Sequence, residues 1–71
     1  MIRLKIKDIA ESKGINQGQL SRLADVGYST IRRIFDDPHY SVNFITLERI
    51  AKALGVPAME LLEEVPDDQV S

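Results

Sequence analysis

The sequence contains no cysteine, and its 71 residues include no long apolar run. Without cysteine, neither a disulfide nor a thiolate metal site can stabilise the fold. No apolar stretch approaches the roughly 20 residues of a membrane span, and no signal-peptide pattern opens the chain. We therefore expect a single small domain that is cytoplasmic and does not associate with a membrane.

Catalytic and cofactor-binding motifs are missing as well. Asp36–Asp37 and Glu63–Glu64 are adjacent carboxylate pairs, whose side chains diverge on a helix or lie in a loop, so neither forms an acid–base pair across a cleft. His39 is the only histidine and has no partners for a metal site or a nucleophilic triad. There is no glycine-rich phosphate loop. We predict a protein that is not an enzyme and uses no metal or cofactor.

The charged residues are unevenly distributed, although the net charge is only −2. Residues 1–35 hold seven Lys and Arg against three Asp and Glu, a net charge of +4. Residues 36–71 hold two against eight, a net charge of −6. Exposed charges are screened beyond about 8–10 Å in physiological salt, so an acidic molecule can still carry an anion-binding face. The overall charge does not exclude a nucleic-acid partner.

Apolar spacing predicts an all-α domain of five short helices. The predicted helices cover 5–13, 16–24, 28–36, a segment that starts between Asn43 and Thr46 and ends at Leu54, and 57–63. The first four residues are ambiguous, because their alternating pattern also fits a short strand. Residues 64–71 are predicted to form an acidic, flexible tail.

The start of the second helix carries three independent signals. Asn16 is a favourable N-cap, Gln19 completes a capping box, and Ile15 with Leu20 matches a hydrophobic staple. This helix is predicted to bury Leu20 together with position 23 or 24. Glycines at positions 14 and 55 are predicted to end the first and fourth helices in a left-handed conformation.

The third helix has two contrasting faces. Ile31, Ile34 and Phe35 follow the spacing of a core-facing stripe, whereas Arg32 and Arg33 lie on the opposite face with neighbouring polar residues. The spacing also permits ion pairs of Arg32 with Asp36 and of Arg33 with Asp37, which would either position the guanidinium groups or occupy them. Two short helices joined by about four residues, with a polar second helix, are what helix-turn-helix DNA binding requires.

The segment INQGQLSRLADVGYSTIRRI resembles the phage-repressor, Cro-type (XRE-type) helix-turn-helix family, and TLERIAKALGVPAMELL resembles its fourth and fifth helices. The resemblance covers about residues 5–63. It implies a lambda-repressor-like domain that acts as a small prokaryotic or phage transcriptional regulator. Three features depart from the family pattern. Asp25 replaces the turn glycine, and Gly27 replaces the serine or threonine that usually caps the recognition helix. The acidic segment 35–38, Phe-Asp-Asp-Pro, follows that helix where the family has a basic or amide-bearing loop.

The resemblance also implies which residues contact double-stranded operator DNA. The positions that reach base edges are Tyr28, Ser29, Arg33 and, beside them, Arg32. The positions expected at phosphates are Asn16, Gln17, Thr30, His39, Tyr40 and Asn43. For Tyr28, packing against the neighbouring helix remains an equal alternative. A small module binds an operator best as two copies, and the edge formed by Met59, Leu62 and Val65 is the expected homodimer surface.

A different function class also fits the sequence. The same fold can act as a protein-interaction module, such as an antitoxin or bridging factor, whose acidic second half binds a toxin or co-regulator. RNA binding has little support, because the sequence offers no platform of stacking aromatic residues.

Overall fold

The computed structural model describes residues 1–66, which contain four α-helices, one 3-10 turn and a two-stranded sheet. In chain order the elements are β1 (Ile2–Leu4), α1 (Ile6–Ser12), α2 (Gln17–Ala24), α3 (Tyr28–Asp36), α4 (Phe44–Leu54), the 3-10 turn (Ala58–Leu61) and β2 (Leu62–Glu64). The predicted all-α class is confirmed. The predicted fifth helix is shorter than expected, because its second half is extended and pairs with β1.

The helices pack around one apolar core. Every buried residue in the described part of the chain is apolar, so no polar group there requires a compensating hydrogen bond. The core consists of Leu4, Ile6, Ala10, Leu20, Ala24, Ile31, Ile34, Leu47, Ile50, Ala51, Leu54 and Leu61. On α2, Ala24 is the inward residue and Leu23 is exposed. In the last segment Leu61 is buried, whereas Met59 is 82% exposed.

The predicted helix ends agree with the structure. The Asn16 side chain accepts a hydrogen bond from the Gln19 backbone N–H at 2.8 Å, and the Gln19 side chain accepts one from the Asn16 N–H at 3.0 Å. Asn43 caps α4 in the same way, accepting from the Thr46 N–H at 2.8 Å. This cap fixes the start of α4 at Phe44. Gly14 and Gly55 adopt φ values of +71° and +73°, as expected of helix-terminating glycines.

The two ends of the described chain form an antiparallel sheet. Ile2 pairs with Glu64, Arg3 with Glu63 and Leu4 with Leu62. The ambiguous first residues are therefore a strand, and the expected boundary between domain and tail, at 63–64, falls inside β2. The rest of the predicted tail, 67–71, lies outside the described residues. No helix in the described part of the chain is long and apolar enough to cross a membrane.

Candidate nucleic-acid interface

A three-residue turn, 25–27, joins α2 to α3 and is fixed by hydrogen bonds from both sides. The Ser21 hydroxyl donates to the Val26 carbonyl oxygen at 2.6 Å, and the Val26 N–H donates back to the Ser21 carbonyl at 3.1 Å. From α4, Arg49 Nη1 donates to the Asp25 carbonyl oxygen at 3.3 Å. Val26 packs against the core. Together these contacts set the angle between the two helices.

Asp25 occupies the position in the turn where the family pattern has glycine. Its φ of 55° makes it the one non-glycine residue with positive φ in the described chain. This left-handed conformation costs most residues roughly 1–2 kcal/mol, although the short polar side chain of aspartate tolerates it better than most. The turn is therefore left-handed at Asp25, the conformation that glycine adopts most easily.

Helix α3 buries its isoleucines and exposes its arginines. Ile31 and Ile34 are nearly inaccessible, whereas Arg32, Arg33 and Ser29 are exposed. At about 100° per residue, Ser29 and Asp36 lie near the centre of the outward face, with the two arginines on either side of it. Tyr28, at the start of the helix, is 53% exposed, so its ring is only partly packed against the protein.

The exposed arginines are free of ion pairs. Within residues 1–66, neither Arg32 nor Arg33 has a carboxylate oxygen within 4.0 Å. Asp37 lies just beyond α3 with extended φ and ψ of −135° and 100°, so its side chain leaves the helical spacing. Its carboxylate instead accepts the His39 backbone N–H at 3.0 Å. The ion pairs that the spacing permitted are thus absent, and both guanidinium groups are available to a ligand.

One side of α3 borders an open groove of about 760 Å³ that contains the start of α2. Asn16, Gln17 and Tyr28 all line this groove. The Asn16 Oδ1 is occupied by the α2 cap, while its Nδ2 group has no partner within residues 1–66. The structure therefore brings together two of the predicted phosphate-contacting residues and the first residue of the predicted recognition helix.

The other side of α3 borders a smaller depression of about 200 Å³. Thr30, Tyr40 and Asn43 line it, together with Ser41, Val42 and Thr46. The first three are further residues predicted to contact phosphate. The exposed face of α3 is therefore flanked on each side by a cluster of hydrogen-bonding groups, one at the start of α2 and one at the start of α4.

His39 is separated from both clusters. Its Nδ1 lies 3.3 Å from the Ile2 carbonyl oxygen, and the neighbouring Pro38 carbonyl accepts the Leu4 N–H at 2.6 Å. The loop after α3 is therefore attached to the outer edge of β1. A phosphate contact from His39 remains a prediction.

Lys7 is a residue that the sequence reasoning missed. It lies on α1, is exposed, and lines the groove that contains Asn16 and Gln17. No local pattern identifies it, because only the packed fold brings α1 beside the start of α2. Glu11 and Asp36 line the same groove, which therefore contains two carboxylates as well as the Lys7 cation.

This arrangement, with a capped short helix, a tight turn and a second helix that exposes unpaired arginines, defines a helix-turn-helix DNA-binding domain. A family model described as helix-turn-helix matches residues 6–61, which is 56 of the 71 positions. The chain belongs to this family, whose members are the XRE and Cro-type DNA-binding regulators. No curated protein sequence matches the chain significantly.

Proposed function

We propose that the protein is a repressor-like transcriptional regulator that binds a specific double-stranded DNA sequence. Helix α3 enters the major groove, which is about 12 Å wide and admits one helix. Arg33, Ser29 and Tyr28 read base edges there, with Arg32 beside them. The observation that carries this proposal is the pair of exposed arginines on α3 that have no ion pair in the described chain.

The flanking clusters hold the helix in register by binding the DNA backbone. Asn16 and Gln17 contact one strand, and Thr30, Tyr40 and Asn43 contact the other. Phosphate contacts of this kind position a protein without reading sequence, whereas the base contacts supply specificity. The groups therefore divide by role, with α3 as the reader and the starts of α2 and α4 as anchors.

The acidic character of the chain is compatible with this role. Arg32 and Arg33, the cations that would face the DNA major groove, belong to the half with net charge +4. Of the described carboxylates in the other half, Asp36 lies on the exposed face of α3. Asp36 therefore reduces affinity for phosphate, and it limits non-specific binding more than specific binding because base contacts are unaffected.

Operator binding requires two copies of the protein on a two-fold symmetric site, with half-sites about one helical turn apart. The sequence-based dimer surface assumed that Met59, Leu62 and Val65 share one side of a helix. Leu62 and Val65 instead follow an extended path three positions apart, and residues three apart in a strand face opposite ways. The three residues therefore do not share a helix face, and a dimer surface at Met59, Leu62 and Val65 stays a prediction.

Selection from a random double-stranded DNA library, followed by salt titration, tests this function. We expect enrichment of one sequence and a steep linear fall of log K with log salt. The double variant Arg32→Ala/Arg33→Ala should enrich nothing, while Lys52→Ala, which makes an exposed charge change on α4, should enrich the same sequence as the unmodified protein. Failure of the unmodified protein to enrich any sequence would refute the proposal.

A cytoplasmic protein-interaction module is the second candidate function. It is favoured by the acidic strand β2, whose residues are all exposed and carry two carboxylates. The two functions are compatible, because β2 and the exposed face of α3 are different surfaces.

A further inference from the structure

Strands β1 and β2 are the part of this fold that the helix-turn-helix family match does not include. The match covers residues 6–61, while β1 spans Ile2–Leu4 and β2 spans Leu62–Glu64. The sheet is thus an addition on both sides of the shared domain. The function of this sheet does not follow from DNA binding.

The register of the sheet determines which backbone groups face outward. The Val65 N–H donates to the Met1 carbonyl at 2.8 Å, and the Lys5 N–H donates to the Leu61 carbonyl at 2.7 Å. Hydrogen-bonded pairs alternate along an antiparallel ladder, so Arg3 and Glu63 form the bonded pair between these two. The backbone groups of Leu62 and Glu64 therefore point away from β1.

The outer edge of β1 is closed by the loop after α3, whereas the outer edge of β2 is open. The Leu62 N–H is used by the 3-10 turn, where it donates to the Met59 carbonyl. The Leu62 C=O and both backbone groups of Glu64 have no partner within residues 1–66. An open edge with these groups accepts an added strand through main-chain hydrogen bonds.

The charges along β2 select the occupant of this edge. Glu60, Glu63 and Glu64 are exposed, and residues 57–66 contain no Lys or Arg. Glu63 has one cationic neighbour on the other side, Arg3 of β1, whose Nη1 lies 3.8 Å from the Glu63 Oε2. A second copy of β2 paired antiparallel about Glu63 would place two glutamates directly opposite one another, at a Cα separation of about 4.5 Å, which is unfavourable. A strand with cations at those positions would instead form cross-strand ion pairs.

We infer that β2 is a docking edge for an extended, basic segment of a partner protein. The segment adds as a third strand, bonding to the Leu62 C=O and the Glu64 backbone. Its cations lie opposite Glu63 and Glu64, and an apolar residue packs against Leu62, which is 37% exposed. Pro66 has no N–H, so the edge ends there and the docked segment is only about three to five residues long.

The test is an NMR titration of the full chain, labelled with ¹⁵N, using the capped peptide Thr-Arg-Lys-Val-Thr, whose antiparallel pairing sets Arg opposite Glu64, Lys opposite Glu63 and Val opposite Leu62. We expect saturable shifts of the Leu62, Glu63 and Glu64 amides and slowed hydrogen exchange of the Glu64 N–H. The acidic peptide Thr-Glu-Glu-Val-Thr should cause none of these changes. Shifts confined to other residues, or equal shifts with both peptides, would overturn the inference.

Two variants separate the backbone contribution from the charge contribution. Glu64→Pro removes an outward N–H without touching the bonds to β1, and it should weaken peptide binding at least tenfold. Glu63→Gln/Glu64→Gln should weaken binding about three- to tenfold, as expected for two exposed ion pairs. Glu48→Gln, an exposed change on α4, is the matched control and should bind like the unmodified protein.

Each outcome is independent of DNA binding, because operator affinity is measured separately with the same variants. If Glu64→Pro binds the peptide with unchanged affinity, the peptide docks elsewhere and the inference is overturned. Light scattering that detects a dimer lost in Glu64→Pro would show that a second copy occupies the edge, which would also overturn the inference.

Discussion

Replacing Arg33 with alanine should weaken operator binding by about 1–3 kcal/mol, which is about 5- to 150-fold in Kd. Because the Arg33 guanidinium has no carboxylate within 4.0 Å in residues 1–66, its removal breaks no internal ion pair that would offset or enlarge this loss. For the same reason the free energy of unfolding should change by less than about 0.5 kcal/mol. The loss therefore reports on the DNA contact alone.

The assay is equilibrium binding to the selected operator and to every single-base variant of it, at several salt concentrations. If Arg33 reads a base, discrimination relaxes at one position and the salt dependence hardly changes. If it binds phosphate, affinity falls equally on all sequences and the slope of log K against log salt decreases by about 0.9. The matched control, Lys52→Ala, makes the same charge change beside Leu23 and Ala53, away from α3, and should leave discrimination intact. Unchanged affinity in Arg33→Ala would refute the assignment of α3 as the reading helix.

Three further substitutions test the interface and the turn. Asp36→Asn should tighten binding to the selected operator about two- to threefold, since a carboxylate about 7 Å from a phosphate costs roughly 0.5 kcal/mol in water. Weaker binding in the equilibrium assay would mean that this carboxylate accepts a hydrogen bond from a base. Asp25→Gly should raise the free energy of unfolding, measured in urea, by about 0.5–1 kcal/mol, because glycine accepts a φ of 55° and Arg49 keeps its hydrogen bond to the backbone carbonyl. A decrease would show that the aspartate side chain stabilises the turn. Gly27→Ser should raise the free energy of unfolding by a few tenths of a kcal/mol by capping α3, since an added Cβ there meets nothing within 4 Å. Gly14→Ser, at φ +71°, should instead lower the free energy of unfolding in urea by about 1 kcal/mol.

Local interactions explain why most of the helical structure was predictable. The capping box of α2 lies within four consecutive residues, and the isoleucine stripe of α3 repeats within one turn. Such signals act over the distances that a sequence pattern displays directly. Residues 28–36 were predicted as the recognition helix, and the structure has α3 at Tyr28–Asp36.

The sheet depends on pairing between residues far apart in the sequence, and the missing ion pairs of the arginines depend on where α3 ends. A local sequence pattern shows neither. Strand β2 reads as the last turn of a helix because its pairing partner, β1, is about 60 positions away. Asp37 appears four residues after Arg33, but the helix ends at Asp36 and the next side chain turns toward His39. Spacing rules for helices fail where the helix stops.

The brief strand β1 has a consequence during synthesis of the chain. It is made before β2, so Leu4 cannot pair with Leu62 until 58 further positions have been added. At about 5–20 residues per second, β1 waits several seconds as an unpaired edge on the ribosome. Its three-residue length and the cations of Arg3 and Lys5 disfavour pairing with other nascent chains over that interval.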